Sequence, residues 1–284
     1  MNRRGLVVVG VLLLAGCWHS EMASKATPPS LPVEDSIDLV LVPRGERMIG
    51  SNSQYAQSWE RPEVWFHLNY PIYMGRTEVT IAQWERLMGK YWMNRGSRMP
   101  VQVSWKQAME FCSRLERLLV RKTGRVWECR LPKEAEWEFA ARYGLPPGSG
   151  WCLGRDAEIG WYDLDKSAWY AKNSGDCEHP VGLKEPNALG LFDMSGNEAE
   201  WCYGRFDVEQ NVTQMLAESG ARPSDDGIHS LRGGWFLSQP EECRPSAREP
   251  GGNAVPSGFR VAALPKDALP AQPCIRVTVG AQVP

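Results

Sequence analysis

Apolar and polar positions along this chain change rhythm several times. After Arg3 and Arg4 comes an unbroken apolar run, Leu6 to Leu14. Residues 18–36 then show no period, are mostly polar and hold three prolines. From Ile37 the pattern becomes strand-like. IDLVLVPRGERMIG reads as a strand, a turn at Arg44-Gly45 and a second strand, and WFHLNYPIYMGRTEVT continues with aromatic and β-branched residues. At Thr80 the period turns helical. Thr80 and Gln83 match a capping box, Trp84, Leu87 and Met88 share a face, and Gly89 suits the C-terminal cap. A second helix follows Ser104, with Ala108, Phe111, Cys112, Leu115, Leu118 and Leu119 on one stripe. A third, KEAEWEFAARYG, runs to Gly144, with Lys133 where a hydroxyl or carboxylate would cap better by about 1 kcal/mol. Beyond Gly144, glycine, proline and aromatics predict short strands and long ordered loops, which commonly carry function.

The length of 284 residues fits one large domain or two small ones, and 13 Trp with 27 Gly and 21 Pro suit a loop-rich fold. A net charge of -2 gives no reason to expect nucleic acid as a partner. The Leu6–Leu14 run is too short to span a membrane comfortably and reads as a signal-peptide core. It ends in Leu14-Ala15-Gly16-Cys17, which resembles a bacterial lipoprotein cleavage site. The resemblance implies cleavage before Cys17 and lipid on its thiol and new amino group, and several acyl chains anchor stably where one does not. The alternative is an ordinary signal peptide or short anchor with a chance cysteine. Trp18, where an aspartate would favour inner-membrane retention, points to the outer membrane, facing the periplasm. The expected organisation is therefore a signal peptide at 1–16, a lipidated cysteine and proline-rich tether at 17–36, a domain at 37–264, and a tail at 265–284. In the tail, Ile275 to Val279 alternates as an edge strand would.

Six stretches occur in order: GRTEVTIAQW (75–84), MPVQVSWKQAMEFC (99–112), RLPKEAEWEFAARYG (130–144), HPVGLKEPNALGLFDMSGNEAEWC (179–202), LRGGWFLSQPEECRPSAR (231–248) and SGFRVAA (257–263). Together they resemble the sulfatase-modifying-factor family, which includes the formylglycine-generating enzymes. The resemblance implies an α+β fold, compact and loop-rich, related to C-type lectins. It leaves function open. Members include copper-dependent oxidases, sulfoxide synthases with an added iron domain, siderophore-maturation proteins, and components of gliding motility and of type VI secretion regulation.

In the oxidases two cysteines five apart follow an RGG motif and bind copper. Counted from Arg232, the second falls on Cys243 and the first on Ser238. A serine hydroxyl is hard and neutral and does not replace a thiolate for Cu(I), so copper is not expected here. These two residues are the catalytic candidates only if the domain is active. The sequence motivates a disulfide for Cys243, with Cys202 as favoured partner, alongside possible Cys112–Cys129 and Cys152–Cys177 pairs. Setting Cys17 apart leaves an odd number of cysteines, so at least one is free or pairs with another chain, and connectivity stays open. His19, His67, His179 and His229 show no metal-ligand spacing, so iron is not expected either. Calcium is possible: FDMSGNEAEW resembles the family loop that holds this ion, and position assigns side-chain oxygens to Asn197 and Glu200. Arg232, Arg244 and Arg248, with Arg260, read either as an ion-pair network with Glu241 and Glu242 or as a pocket for a carboxylate or phosphate. The favoured expectation is a lipid-anchored, non-oxidase binding or regulatory component with an envelope protein partner. The alternative is an oxidoreductase of formylglycine-generating or siderophore-maturation type.

Overall fold

The computed structural model describes residues 36–145, 164–218, 227–252, 256–266 and 274–278. The leader, Cys17, the tether and Cys152 lie outside them. All described residues belong to the unit 31–284.

A five-stranded antiparallel sheet organises the fold. It contains β1 (Ser36–Val42), β4 (Ile72–Gly75), β5 (Trp127–Arg130), β9 (Ala262–Pro265) and β10 (Cys274–Thr278), in the order β10-β1-β4-β9-β5. Two smaller antiparallel sheets accompany it. One pairs β2 (Gly45–Ile49) with β3 (Val64–Leu68); the other is β6 (Glu200–Arg205), β7 (His229–Arg232) and β8 (Glu249–Gly251).

Strand alternation decides what covers the large sheet. Ile37, Leu39, Tyr73 and Ala263 point into one apolar cluster with α1 (Ile81–Met88) and α2 (Trp105–Thr123). Val40, Val42, Ile72, Met74 and Ala262 point into a second with α3 (Glu134–Ala141). The near-continuous apolar sequence of β1 follows from burial on both faces. Two short helices, α4 (Leu164–Ser167) and α5 (Val212–Glu218), lie in the loop-rich second half.

The helix starts follow from their caps. Thr80 Oγ1 accepts from Gln83 N–H, and Gln83 Oε1 accepts from Thr80 N–H. Ser104 and Gln107 repeat this reciprocal pair at α2. Lys133 makes no side-chain cap on α3. Instead Glu136 accepts the Lys133 N–H at 2.9 Å while also binding Arg130, so one orphan donor is satisfied and part of the capping deficit is offset. Every residue of α3 is buried, three glutamates included. A helix without a solvent face needs polar partners inside the protein, and those partners build the site.

Candidate functional site

The motif that follows β7 supplies the two candidate catalytic positions. After Arg232 the chain passes through Gly233 at φ +93° and Gly234 at φ +70°, a backbone region that glycine enters without strain. A Cβ on Gly234 would lie 3.1 Å from Ser238 Oγ and 3.2 Å from Cys243 Sγ. The two positions therefore flank one point, as the five-residue spacing implied, and Gly234 leaves room between them.

Neither side chain is open to solvent. Ser238 is 1% exposed, and its hydroxyl accepts the Trp235 N–H at 3.2 Å. Cys243 is fully buried against Leu164, Ala168 and Tyr170. Burial and the nearby carboxylates of Glu242, Glu249 and Glu241 push its thiol up to about 12, against a smaller opposing effect of the Gly196 N–H. At neutral pH that leaves about one thiolate in 10⁵. A single protonated sulfur beside a serine does not fit copper, which takes thiolates.

Cys243 is a free thiol, and so are Cys202, Cys112, Cys129 and Cys177. The expected Cys202–Cys243 and Cys112–Cys129 bridges are not formed. Cys243 packs in the small cluster around Tyr170, whereas Cys202 lies under α3 in another. Cys177 is exposed, and Cys152, its expected partner, falls outside the described residues.

The arginines are committed to carboxylates other than those expected. Arg232 binds Glu134 and Glu138, each at 3.1 Å. Arg248 grips Glu134 with bonds of 2.6 and 2.9 Å, and Ser230 donates to the same carboxylate at 2.7 Å. Burial alone would raise the Glu134 pKa, but Arg248 and Arg232 hold it below the usual range. Arg244 pairs with Glu60 at 2.8 Å and donates to the carbonyls of Glu241 and Tyr55. Arg232, Arg244 and Arg248 are all buried. Each guanidinium is satisfied within the protein, so the three form a structural network under the loop. They do not line an open anion pocket, and the side chains of Glu241 and Glu242 are not their partners.

Calcium fares no better on its two assigned side chains. Both oxygens of Glu200 accept from Arg260, at 2.6 and 2.5 Å, and Trp137 Nε1 adds a bond of 2.8 Å. Asn197 Oδ1 accepts the His179 N–H, and its amide donates to Glu78. A cation would have to displace a guanidinium from Glu200, so these side chains do not fit calcium. Among the described residues, no group of three or more His, Cys, Asp or Glu could hold a metal ion. The orphan oxygens of the cluster are Glu78 Oε2 and Asp193 Oδ1, both buried. Burial raises the pKa of both carboxyls, Glu200 adds to it, and Arg260 opposes it.

Sequence reasoning missed Glu60, Glu78, Glu134, Glu138 and Asp193. A signal for two of them stands in KEAEWEF, where glutamates alternate with Ala, Trp and Phe and leave no polar face. It also missed Glu198, 4% exposed, which accepts from Gln102 at 2.7 Å. Burial raises its pKa to about 8; Glu178 adds to that, and the Gln102 bond and Arg95 oppose it.

Outward the motif presents Trp235 and Leu237 beside the polar Gln239 and Glu242. Trp235 and Leu237 are 40% and 38% exposed. Their turn is pinned from beneath: Phe236 N–H donates to the Asn197 carbonyl at 3.0 Å, and Ser174 Oγ donates to the Phe236 carbonyl at 2.8 Å. Nearby, Trp169 stacks on His179 at 3.8 Å with Lys184 Nζ over its ring.

Comparison with known proteins agrees with this architecture. Residues 24–264 match the family described as sulfatase-modifying factor enzyme 1-like domain. The chaperone protein LppX of Paenibacillus barcinonensis is 27% identical over 241 residues, covering 71% of this chain and 81% of that protein. The formylglycine-generating enzyme of Mycobacterium tuberculosis is 32% identical over 192 residues, 61% of this chain and 59% of the enzyme, so the chain spans about three fifths of that relative. Among solved structures, Treponema denticola variable protein 1 superposes with a TM-score of 0.62 at 25% identity, covering 80% of this chain and 94% of that one. PvdO from Pseudomonas aeruginosa gives 0.60 at 23% identity, covering 79% and 93%, a likeness of fold alone.

Proposed function

This chain belongs to the sulfatase-modifying factor enzyme 1-like domain family, and from that premise we propose that it binds a partner protein in the cell envelope and does not oxidise cysteine. One observation carries the reading. The two positions of the oxidases' thiol pair are a buried serine and a buried, protonated cysteine, while the same turn offers Trp235 and Leu237 outward on a pinned frame. Oxidation at a copper–thiolate pair needs accessible thiolates. Recognition needs exposed aromatic and aliphatic anchors on a rigid support.

The lipoprotein-like leader supports lipid anchoring through Cys17, with the domain held off an outer membrane on the 17–36 tether and facing the periplasm. The similarity to a protein named as a chaperone supports a protein as the partner. The test incubates the full-length chain, purified in mild detergent, with a cysteine-containing sulfatase peptide, copper and oxygen. No aldehyde is expected, and aldehyde formation overturns the reading in favour of an oxidoreductase. Separately, Cys17→Ser releases the chain from the membrane fraction if the anchor is as proposed; continued sedimentation with membranes removes that part.

A further inference from the structure

Trp92 is the most exposed large apolar side chain among the described residues, at 74%. It stands on the turn that follows α1, and that turn is fixed on both sides of it. Tyr91 is buried. Its N–H donates to Glu85 Oε1 at 3.0 Å, its hydroxyl donates to the Gln102 carbonyl at 2.7 Å, and its ring meets Trp84 edge-on at 6.4 Å. Met93 packs against the apolar cluster of α1 and α2. Further along, Arg95 pairs with the buried Glu178. Val181 N–H donates to the Arg98 carbonyl at 3.1 Å, and the Arg98 guanidinium donates to the Val181 carbonyl at 3.0 Å. The indole is therefore carried outward by a held turn.

The charge around it has one sign. Residues 86–98 hold four basic side chains and no acidic one, in a chain of net charge -2. Lys90 is exposed, two residues from the indole, and has no ion-pair partner among the described residues. Glu85, the nearest acid in sequence, is taken up by the Tyr91 N–H. A tryptophan seats its apolar ring and its N–H at the level of lipid headgroups, and basic side chains beside it are drawn to anionic phospholipid. α1 links this turn to the place where the tether joins the fold. Gln83, in the first turn of α1, donates to the Ser36 carbonyl at 2.7 Å, and Ser36 is the last residue of the 17–36 tether. The eight residues of α1 span about 12 Å, so the Trp92 turn begins one short helix away from the tether's end.

We propose that the Trp92 turn docks on the anionic phospholipid surface to which Cys17 anchors the chain. The inference rests on that anchoring. One indole and a few basic side chains hold a bilayer only reversibly, so the anchor supplies retention and the turn supplies orientation. The rest of the domain stays off the lipid on its tether and open to a partner.

The experiment reconstitutes the full-length lipidated chain into vesicles of phosphatidylethanolamine and phosphatidylglycerol with a trace of a photoactivatable phospholipid, and reads crosslinked peptides by mass spectrometry. Trp65, 57% exposed on β3, is the control in the same sample. Crosslinking around Trp92 is expected to exceed that around Trp65 at least about fivefold. Lys90→Glu, and replacing phosphatidylglycerol by phosphatidylcholine, should each lower the Trp92 signal at least about threefold. Crosslinks next to Cys17 with Trp92 no higher than Trp65 overturn the docking and leave the anchor standing. No crosslink anywhere on the chain overturns the anchor and the docking together. A Trp92 signal unmoved by both changes overturns the assignment to an anionic surface.

Discussion

Glu198 gives the most quantitative handle on the buried polar network. Its pKa in the folded chain is raised from 4.5 to about 8, chiefly by burial. The folded state therefore holds the proton that the unfolded state releases. This contribution to stability is complete below pH 4.5 and is lost as pH rises through 8. By proton linkage the loss is about 2 kcal/mol at pH 6 and about 4 kcal/mol at pH 8, so stability drops by about 2 kcal/mol between them. Glu198→Gln keeps the shape of the neutral acid and removes its titration. Urea unfolding of both proteins from pH 5 to 8.5, followed by tryptophan fluorescence, isolates this group, because other titrations largely cancel in the difference. The variant should gain on the wild type by about 2 kcal/mol from pH 6 to pH 8. A difference that stays flat across that range would refute the reasoning.

Further predictions concern the frame beneath the motif. Glu134→Gln leaves Arg232 and Arg248 short of their shared carboxylate and should cost about 3–5 kcal/mol in urea unfolding, whereas Glu110→Gln, which breaks the exposed pair with Arg114, should cost less than about 1 kcal/mol. Gly196→Ala must place a Cβ 2.0 Å from the Trp169 carbonyl at φ +68°, so loss of folded yield is expected; Gly175→Ala, at φ +65° with nothing within 4 Å, should cost only about 1 kcal/mol by the same unfolding assay. Phe111→Ala, in the stacked core of α2, should cost about 3–5 kcal/mol and lower the thermal midpoint accordingly.

The helices and the strands around β1 were legible in the sequence because their signals are local. The Thr80–Gln83 and Ser104–Gln107 pairs are three residues apart, and the α2 stripe repeats along one face. The spacing that set Ser238 against Cys243 was legible too, through family resemblance. What escaped is non-local. Glu134 meets Arg248 across 114 residues and Asn197 meets Glu78 across 119, and no period or motif joins such partners. The arginines of the motif drew attention to their own neighbours, Glu241 and Glu242, but their carboxylates come from α3 and from Glu60. Calcium was read from a loop whose side chains had already found partners in Arg260 and His179. The same bias toward nearby or familiar partners produced the Cys202–Cys243 pairing, which separate packing clusters do not support.

The central claim is that Cys243 is a neutral, sequestered thiol and takes no part in chemistry. Native alkylation of the full-length chain with iodoacetamide at pH 7.5, read by peptide mass spectrometry, tests it directly against the exposed Cys177 in the same sample. The account predicts rapid labelling of Cys177 and labelling of Cys243 at least a hundredfold slower until the chain is denatured, in keeping with the burial and raised pKa of Cys243. Labelling of Cys243 at a rate matching Cys177 in the folded protein would contradict it.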